Sequence, residues 1–296
     1  MKLSKPIFKG AATALITPFK DGKIDYPAFK NIIEQQISGG IDALVVCGTT
    51  GESATLNDTE HKESVRFVID CVNGRVPVIA GTGSNDTDYS IQLSKHACAD
   101  GADALLLVTP YYNKATQQGL IKSFSKIADA CDKPVILYNV PSRTGVNIKP
   151  ETYYELSKHG NIAAVKEANG DISSIAQTME MCGDSIDLYS GNDDQILPIL
   201  SLGGIGVISV LSNVVPKITH DICEEFFKGN VAKSRELQLG YLELINSLFC
   251  EVNPIPVKAA MAMMGYCSEE IRLPLCTPEE KSAQRIRAAL KDKGLL

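Results

Sequence analysis

The sequence predicts a (β/α)8 barrel, an α/β fold of eight parallel strands that alternate with helices, followed by a C-terminal helical appendage. Short apolar runs rich in strand-forming residues alternate with helical stretches in units of about 20 to 35 residues. Eight such units precede the end of the strand pattern, whereas a doubly wound sheet more often stops nearer six strands. The length of 296 residues is common for a single α/β barrel.

The predicted strands are the eight short apolar runs. They span residues 11–17, 43–47, 76–81, 104–109, 134–139, 162–166, 186–190 and 206–210. The stretches between them show helical periodicity. They span residues 26–38, 59–72, 86–99, 117–130, 150–158, 172–181, 193–202 and 216–228.

After residue 228 the strand pattern stops. Helical patterns remain at 232–250, 256–264 and 278–291, with breaks expected at Pro254 and Pro256 and again at Pro274 and Pro278. We therefore predict a catalytic barrel over residues 1–228 and a helical domain over residues 229–296.

Composition excludes several classes of protein. A net charge of -6 argues against nucleic acid or an anionic membrane as a partner, since both need a basic surface. No apolar run reaches the roughly 18 residues of a membrane span, and the first residues do not resemble a signal peptide. Nine cysteines without a C-x-x-C pair suit reduced thiols packed in the core of a cytoplasmic protein, and no metal site is predicted.

Lys166 closes the sixth predicted strand, in the run Ile162-Ala-Ala-Val-Lys166-Glu167. With an ordinary pKa of about 10.4, a lysine holds only a trace of neutral amine near pH 7. Burial that lowers the pKa by roughly 2 to 3 costs about 3 to 4 kcal/mol and makes the amine a nucleophile toward carbonyl groups. Without further evidence, the run is more simply interpreted as a strand whose terminal lysine side chain points into solvent.

Two polar motifs follow the second and fifth predicted strands, at the end of a barrel where active sites lie. Gly48-Thr49-Thr50-Gly51-Glu52 offers backbone N–H groups and hydroxyls for a carboxylate, or is a glycine turn with a threonine helix cap. Tyr138-Asn-Val-Pro-Ser-Arg143 places a phenol for proton transfer near a guanidinium for a carboxylate. Alternatively, Tyr138 is a core aromatic residue and Arg143 a surface ion-pair partner.

Tyr111 and Tyr112 follow the fourth predicted strand at a loop tip, where ordinary packing competes with a subunit contact or a catalytic role. The glycines at 81–83 and 203–206 do not complete the G-x-G-x-x-G pattern of a dinucleotide site. Close backbone approach at the mouth of the barrel explains these glycines equally well.

Four motifs together resemble those of the pyruvate-dependent class I lyases, the superfamily of N-acetylneuraminate lyase. They are Gly48-Thr-Thr-Gly-Glu52, Pro110-Tyr-Tyr112, Tyr138-Asn-Val-Pro-Ser-Arg-Thr-Gly145 and Val165-Lys166-Glu167. Within that superfamily the chain is similar to the dihydrodipicolinate synthase family. The resemblance spans essentially the whole chain, and the motifs stand in the family's order.

The resemblance implies that Lys166 forms an imine with pyruvate. The derived enamine would attack aspartate semialdehyde to give 4-hydroxy-tetrahydrodipicolinate, a precursor of diaminopimelate and lysine. A protonated imine is itself an electron sink, so the implied chemistry needs neither a metal nor an organic cofactor.

Two alternatives accompany this interpretation. One is a sister aldolase that acts on N-acetylneuraminate or a 2-keto-3-deoxy sugar acid, and the other is an inert barrel that only binds a keto acid or an amino acid. Arg143 favours the synthase, because aldolases for long polyols usually lack arginine at this point. Retention of Lys166 and Tyr138 argues against the inert barrel.

The resemblance also implies the roles of the site residues. Tyr138, Thr49 and Tyr112 would form a hydroxyl relay, with Tyr112 donated by a neighbouring subunit, and Thr50 would bind the pyruvate carboxylate. The active site would then depend on a dimer, and in the family two dimers usually pair into a tetramer. The remaining substrate-binding residues would be Arg143, Gly191 and Ile208.

In lysine-inhibited family members an allosteric site lies at the dimer interface. Asp58 stands here where that site would have a histidine, and Tyr89 where it would have the glutamate that binds the α-ammonium of lysine. Losing this charged acceptor gives up roughly 1.5 to 3 kcal/mol, so we predict weak or absent inhibition by lysine. The chain keeps the other possible members of the site: Ser53, Ala54, His61, Asn85 and Tyr111.

Overall fold

Eight parallel strands close into a barrel in the computed structural model, which describes residues 5–296. The strands are β1 (Gly10–Ala14), β2 (Ala43–Val46), β3 (Val78–Gly81), β4 (Ala104–Val108), β5 (Val135–Asn139), β6 (Ile162–Glu167), β7 (Asp187–Ser190) and β8 (Gly206–Ser209). Neighbours in sequence are neighbours in the barrel, and β1 pairs with both β2 and β8 to close it. The predicted fold class is confirmed.

The barrel interior is filled by alternate residues of the strands. Small side chains such as Ala12, Ala43 and Ala164 pack inside together with Tyr138 and Tyr189, while the intervening, mostly larger residues face the helices. The amino-terminal end is closed by the rings of Phe8 and Tyr189, which stack with centroids 4.2 Å apart. The open end is therefore the carboxyl end of the strands, where active sites of this fold lie.

Strands β1 and β8 meet through glycine. A Cβ atom on Gly206 would lie 2.0 Å from the carbonyl oxygen of Gly10. Only a residue without a side chain allows the two backbones to approach this closely. The ladder of β1 ends before the predicted residue 17, because the N–H of Ile16 donates to the Asn213 side chain instead of to a strand.

Helices cover the outside of the barrel. They are α1 (Tyr26–Ser38), α2 (Asp58–Val72), α3 (Thr87–Asp100), α4 (Gln117–Asp129), α5 (Pro150–Leu156), α6 (Ile172–Cys182), α7 (Ile196–Ser201) and α8 (Pro216–Phe227). Polar side chains cap several of them: Asn57 forms a capping box with Glu60, and Asp86, Thr116 and Asp171 accept N–H groups of their own helices. Each such cap stabilises its helix by about 1 kcal/mol.

Four local features differ from the prediction. A hairpin of two two-residue strands, Phe19–Lys20 and Lys23–Ile24, precedes α1, and a single helical turn, Pro141–Thr144, follows β5. The helix predicted from residue 193 starts as a 3-10 turn, Asp193–Gln195. The long helix predicted over 232–250 is interrupted at Tyr241, whose φ of -104° and ψ of 6° leave the helical range.

The C-terminal segment contains α9 (Val231–Gly240), α10 (Leu242–Ser247), α11 (Ile255–Met263) and α12 (Glu280–Asp292). Helix α9 packs against α8, while α10 and α11 pack against α12. The division into two domains at residue 228 stays a prediction, and its start at residue 1 lies outside the described residues.

All nine cysteines are free thiols. Cys47, Cys182 and Cys223 are buried as expected, but Cys276 is exposed on the segment before α12, so the core interpretation is wrong for it. Within residues 5–296 no helix is both long and apolar enough to cross a membrane.

Candidate active site

A cavity of about 170 Å³ lies at the carboxyl ends of the strands. The turn after β2, the ends of β5 and β6 and the turn after β7 meet there. Six of the predicted site residues line it: Thr49, Thr50, Tyr138, Arg143, Lys166 and Gly191. The parallel strands thus bring together side chains that are far apart in sequence.

Lys166 is buried at the end of β6, with 5% of its surface exposed. Burial lowers the pKa of Lys166 to about 8; the Asp193 carboxylate opposes this shift and the Arg143 guanidinium adds to it. A tenth of the amine is therefore neutral at about pH 7. This is the reactive form that attack on a carbonyl requires.

Tyr138 faces Lys166 across the β5–β6 ladder, where the two residues are direct partners in register. The Lys166 Nζ atom lies 4.2 Å from the centre of the Tyr138 ring. Burial raises the pKa of Tyr138, and a hydrogen bond with Thr49 and the charge of Arg143 oppose the rise. The phenol is therefore protonated at neutral pH, and Thr49 lines the same cavity as a second hydroxyl.

Asp193 is a buried carboxylate beside this site that sequence reasoning missed. Its Oδ2 atom accepts the N–H groups of Val210 and Leu211, at 3.0 and 2.8 Å, while Oδ1 has no partner among the described residues. Burial raises the pKa of Asp193, and the charge of Lys166 is among the effects that lower it. The signal that could have found it is its position two residues after Gly191.

Glu167 follows Lys166 but points to the opposite side of the strand. Its carboxylate accepts hydrogen bonds from the Tyr153 hydroxyl at 2.8 Å and from Asn139 at 3.0 Å. Burial raises the pKa of Glu167 to about 7, against the lowering effect of these donors. This network anchors the end of β6 to α5 and so fixes the direction of the Lys166 side chain.

Thr50 and Arg143, the two predicted carboxylate-binding residues, are joined by Asn253. The Asn253 Nδ2 atom donates to Thr50 Oγ1 at 3.0 Å, and the Arg143 guanidinium donates to the Asn253 carbonyl at 2.9 Å. Asn253 lies just before α11 and lines the cavity. The sequence predicted only a helix break at Pro254 and Pro256, and no local pattern in this stretch pointed to the site.

Gly191 and Ile208 occupy different places. Gly191 lines the cavity, and a Cβ atom there would lie 2.8 Å from the Cβ atom of Ala168, so the turn after β7 requires glycine. Ile208 is fully buried in β8 among the inner residues of the barrel and is not among the residues that line the cavity. Its role in substrate binding stays a prediction.

Tyr112 lies outside the cavity. Its side chain is 90% exposed, and its φ of 72° is in the left-handed region that non-glycine residues rarely adopt. The single chain therefore does not bring Tyr112 to Tyr138 or Thr49. Such a conformation in an exposed aromatic residue is typical of functional positions.

A second cavity of about 440 Å³ opens beside the first. Four of the predicted allosteric residues line it, namely Ser53, Ala54, His61 and Tyr111. Asn85 is not among its lining residues; its backbone carbonyl accepts a hydrogen bond from Asn113 at 2.9 Å. Tyr89 also lines the cavity, and its hydroxyl donates to Asp58 at 3.4 Å.

The loop that carries Thr49 and Thr50 is held from behind by a buried ion pair. Glu52, whose φ of 55° is left-handed, pairs with Lys258 of α11. The two side chains are 2% and 1% exposed. The Arg272 backbone N–H also donates to Glu52, at 3.1 Å. Among the described residues no group of three His, Cys, Asp or Glu is placed to hold a metal ion.

The chain is similar to known proteins over nearly its whole length. A 4-hydroxy-tetrahydrodipicolinate synthase from Caldicellulosiruptor saccharolyticus is 57% identical over 291 residues, with 98% of each chain covered. The crystal structure of dihydrodipicolinate synthase from Thermotoga maritima matches with a TM-score of 0.96 at 44% identity, over 98% of this chain and 100% of that one.

The enzyme from Acinetobacter baumannii, solved in complex with pyruvate, matches with a TM-score of 0.95 at 40% identity, over 97% of this chain and 99% of that one. The model of the dihydrodipicolinate synthetase family matches residues 7–293. The chain therefore belongs to the dihydrodipicolinate synthetase family.

Proposed function

We propose that the chain condenses pyruvate with L-aspartate 4-semialdehyde to give 4-hydroxy-tetrahydrodipicolinate through an imine on Lys166. The observation that carries the proposal is a buried lysine with a pKa of about 8 that lines a cavity beside a tyrosine and an arginine. The names of the relatives support the synthase over the sister aldolases. The pyruvate complex of the Acinetobacter baumannii enzyme supports pyruvate as the first substrate.

The proposed reaction starts with neutral Lys166. Its nitrogen attacks the ketone carbon of pyruvate, and loss of water gives a protonated imine. The imine draws electrons from the methyl group, which loses a proton to give an enamine. The enamine carbon then attacks the aldehyde of the second substrate.

Ring closure completes the sequence. The amino group of the bound semialdehyde attacks the imine carbon, the C–N bond to Lys166 breaks, and the lysine leaves as the free amine. Every step is a proton transfer or an addition and elimination at carbon, so we propose that no cofactor takes part.

The site residues have separate roles in this proposal. Tyr138 and Thr49 transfer protons to and from the reacting oxygen and nitrogen atoms. Thr50 binds the pyruvate carboxylate, and the exposed guanidinium of Arg143 binds the carboxylate of the semialdehyde. Gly191 lines the pocket, and the backbone of Ile208, one layer deeper in the barrel, contacts the substrate in this proposal.

Tyr112 completes the relay from a second subunit in this proposal. Its 90% exposure fits a side chain that inserts into a neighbour. We propose a dimer as the catalytic unit and a tetramer built as a dimer of dimers. The cytoplasmic location is proposed on the strength of the nine unpaired cysteines.

The test is to trap the imine. Borohydride reduces it and leaves a stable pyruvate adduct, which intact mass and peptide mapping locate. We expect one adduct per chain on Lys166 and, in a separate assay, product only when both substrates are present. An unmodified chain, or an adduct confined to another lysine, would overturn the proposal.

Mixing two inactive variants tests the shared site. Lys166→Met lacks the nucleophile and Tyr112→Ala lacks the partner phenol, so neither homodimer has a complete site. Subunit exchange creates one complete site in each mixed dimer, and we expect activity to return. Absence of recovery, with mixed dimers shown by native mass spectrometry, would contradict the donated Tyr112.

A further inference from the structure

Asn253 connects the C-terminal helical segment to both carboxylate-binding residues of the site. Its Nδ2 atom donates to Thr50 and its carbonyl accepts from Arg143. The residue lines the cavity of about 170 Å³ that holds Lys166 and also the adjoining cavity of about 440 Å³. It therefore lies where the two cavities meet, next to the side chain that is proposed to bind the second substrate.

The other amide atom of Asn253 has no partner. Oδ1 is one of four buried side-chain atoms without a hydrogen bond within residues 5–296; the other three are Ser64 Oγ, Asp193 Oδ1 and Gln238 Oε1. Of these four residues, only Asn253 lines the two cavities. A buried acceptor without a donor is rare in a native fold and points to a ligand or a water.

The second substrate of the proposed reaction carries a suitable donor. L-Aspartate 4-semialdehyde is an amino acid, so an α-ammonium group lies next to the carboxylate that Arg143 is proposed to bind. No aspartate or glutamate lines the smaller cavity. In the larger cavity, Glu52 is already paired with Lys258.

The acceptor for the ammonium group is therefore neutral, and among the residues that line the cavity, Ser142 and Asn192 included, Asn253 is the one with a buried side-chain oxygen that lacks a hydrogen bond. Arg143 donates to the backbone of Asn253 at 2.9 Å, so the side chain of the same residue lies within one amino acid's reach of the bound carboxylate. Neighbouring recognition of carboxylate and ammonium is what distinguishes an α-amino acid from a simple acid aldehyde.

We propose that Asn253 selects the amino-acid aldehyde, its Oδ1 atom accepting a hydrogen bond from the α-ammonium group while Arg143 binds the α-carboxylate. The inference rests on the proposed function and adds a specificity residue to it. It also gives the C-terminal segment a role in substrate choice, because Asn253 is supplied from outside the barrel.

The test compares two aldehydes in the full-length protein. Succinate semialdehyde has the same length and carboxylate as aspartate semialdehyde but lacks the amino group. We expect Asn253→Leu to lower kcat/KM for aspartate semialdehyde by about 10- to 100-fold, the effect of one hydrogen bond to a charged group. The inhibition constant of succinate semialdehyde should change by less than about threefold, since this ligand does not make the lost bond.

Two results would overturn the inference. If kcat/KM for aspartate semialdehyde and the affinity for succinate semialdehyde fall by the same factor, Asn253 only positions Thr50 and Arg143. If neither value changes, Asn253 takes no part in binding the aldehyde. Asn253→Asp keeps the acceptor and should keep or increase the preference for aspartate semialdehyde, so a loss of preference in this variant also counts against it.

Thr50→Val is the matched control, because it breaks the Asn253–Thr50 bond while leaving Oδ1 in place. It should change the binding of both aldehydes equally and weaken pyruvate trapping.

Wild-type trapping at Lys166 and product formation are measured first. If these fail, the proposed function is wrong; if they succeed and the aldehyde preference does not move, only the role of Asn253 is wrong. Asn253→Asp serves as the main variant if Asn253→Leu does not fold.

Discussion

The protein contains two buried lysines in similar surroundings, to which we assign different roles. Lys166 lies 4.2 Å from the ring centre of Tyr138, and Lys258 lies 4.1 Å from the ring centre of Phe19. Burial is the largest effect on both and lowers the pKa of each. They differ in one respect: Lys258 forms an ion pair with Glu52, whereas no described carboxylate forms an ion pair with Lys166.

In the proposed mechanism this difference explains why Lys166 and not Lys258 reacts. The Glu52 carboxylate opposes the effect of burial on Lys258 and holds its proton. Lys166 feels Asp193 only as a nearby charge, so its pKa falls to about 8. A buried lysine thus becomes a nucleophile when the fold desolvates it without giving it a salt-bridge partner.

The largest expected effect follows from removing the unpaired lysine. Lys166→Met should lower kcat by about a thousand-fold or more and abolish the trapped pyruvate adduct, because no other described lysine lines the small cavity. Its melting temperature should stay the same or rise, since a buried amine without an ion-pair partner is removed. Lys166→Arg, which keeps a charge but cannot form the imine, should be equally inactive. A pyruvate adduct trapped in either variant would contradict the assignment of Lys166 as the nucleophile.

Removing the paired lysine should act on stability. Lys258→Met leaves the Glu52 carboxylate buried and unpaired, which should lower the free energy of unfolding by about 3 to 5 kcal/mol in urea titrations. The double variant Glu52→Gln/Lys258→Met removes both charges and should recover most of this loss. A single variant that loses less than about 1 kcal/mol would show that Glu52 is not dependent on Lys258.

A third prediction uses pH. Only the neutral amine attacks pyruvate, so the initial rate of adduct formation should rise about tenfold per pH unit below the pKa of Lys166 and level off above it. The midpoint should lie at about 8. Asp193→Asn removes the negative charge that raises the pKa, so the midpoint should move to lower pH, while the exposed neighbour Asp194→Asn should leave it unchanged. A midpoint above about 10, the value of a solvated lysine, would exclude desolvation.

The smallest expected effect is that of added lysine. Tyr89 lines the cavity of about 440 Å³ and donates to Asp58 instead of presenting a free carboxylate. We expect lysine to inhibit weakly or not at all, and an inhibition constant below about 1 mM in steady-state assays would contradict this. The double variant Asp58→His/Tyr89→Glu should bind lysine about 10- to 100-fold more tightly, because it restores the charged acceptor.

The barrel could be predicted from sequence because its strands are buried on both faces and its helices on one. These patterns repeat eight times and survive errors at single residues. The hairpin at Phe19–Lys20 could not be found, since two-residue strands carry no measurable period. The break at Tyr241 was missed because no proline marks it and helix-forming residues continue on both sides of it.

The site was predictable where its residues end strands, as at Lys166 and Tyr138. It was not predictable where a distant segment folds back. Thr50 and Asn253 are separated by 203 residues, and Glu52 and Lys258 by 206. No local spacing encodes such contacts, and in a single sequence they resemble ordinary loop and core positions.

The division of the site between strands and connections has a consequence for how such enzymes can diversify. Lys166 and Tyr138 belong to paired strands, whereas Arg143 and Asn253 belong to the connections around them. With the roles proposed above, mutations in the connections would change which aldehyde is accepted without disturbing the activation of the keto acid. Substrate range can therefore drift over generations while the bond-forming step is inherited unchanged.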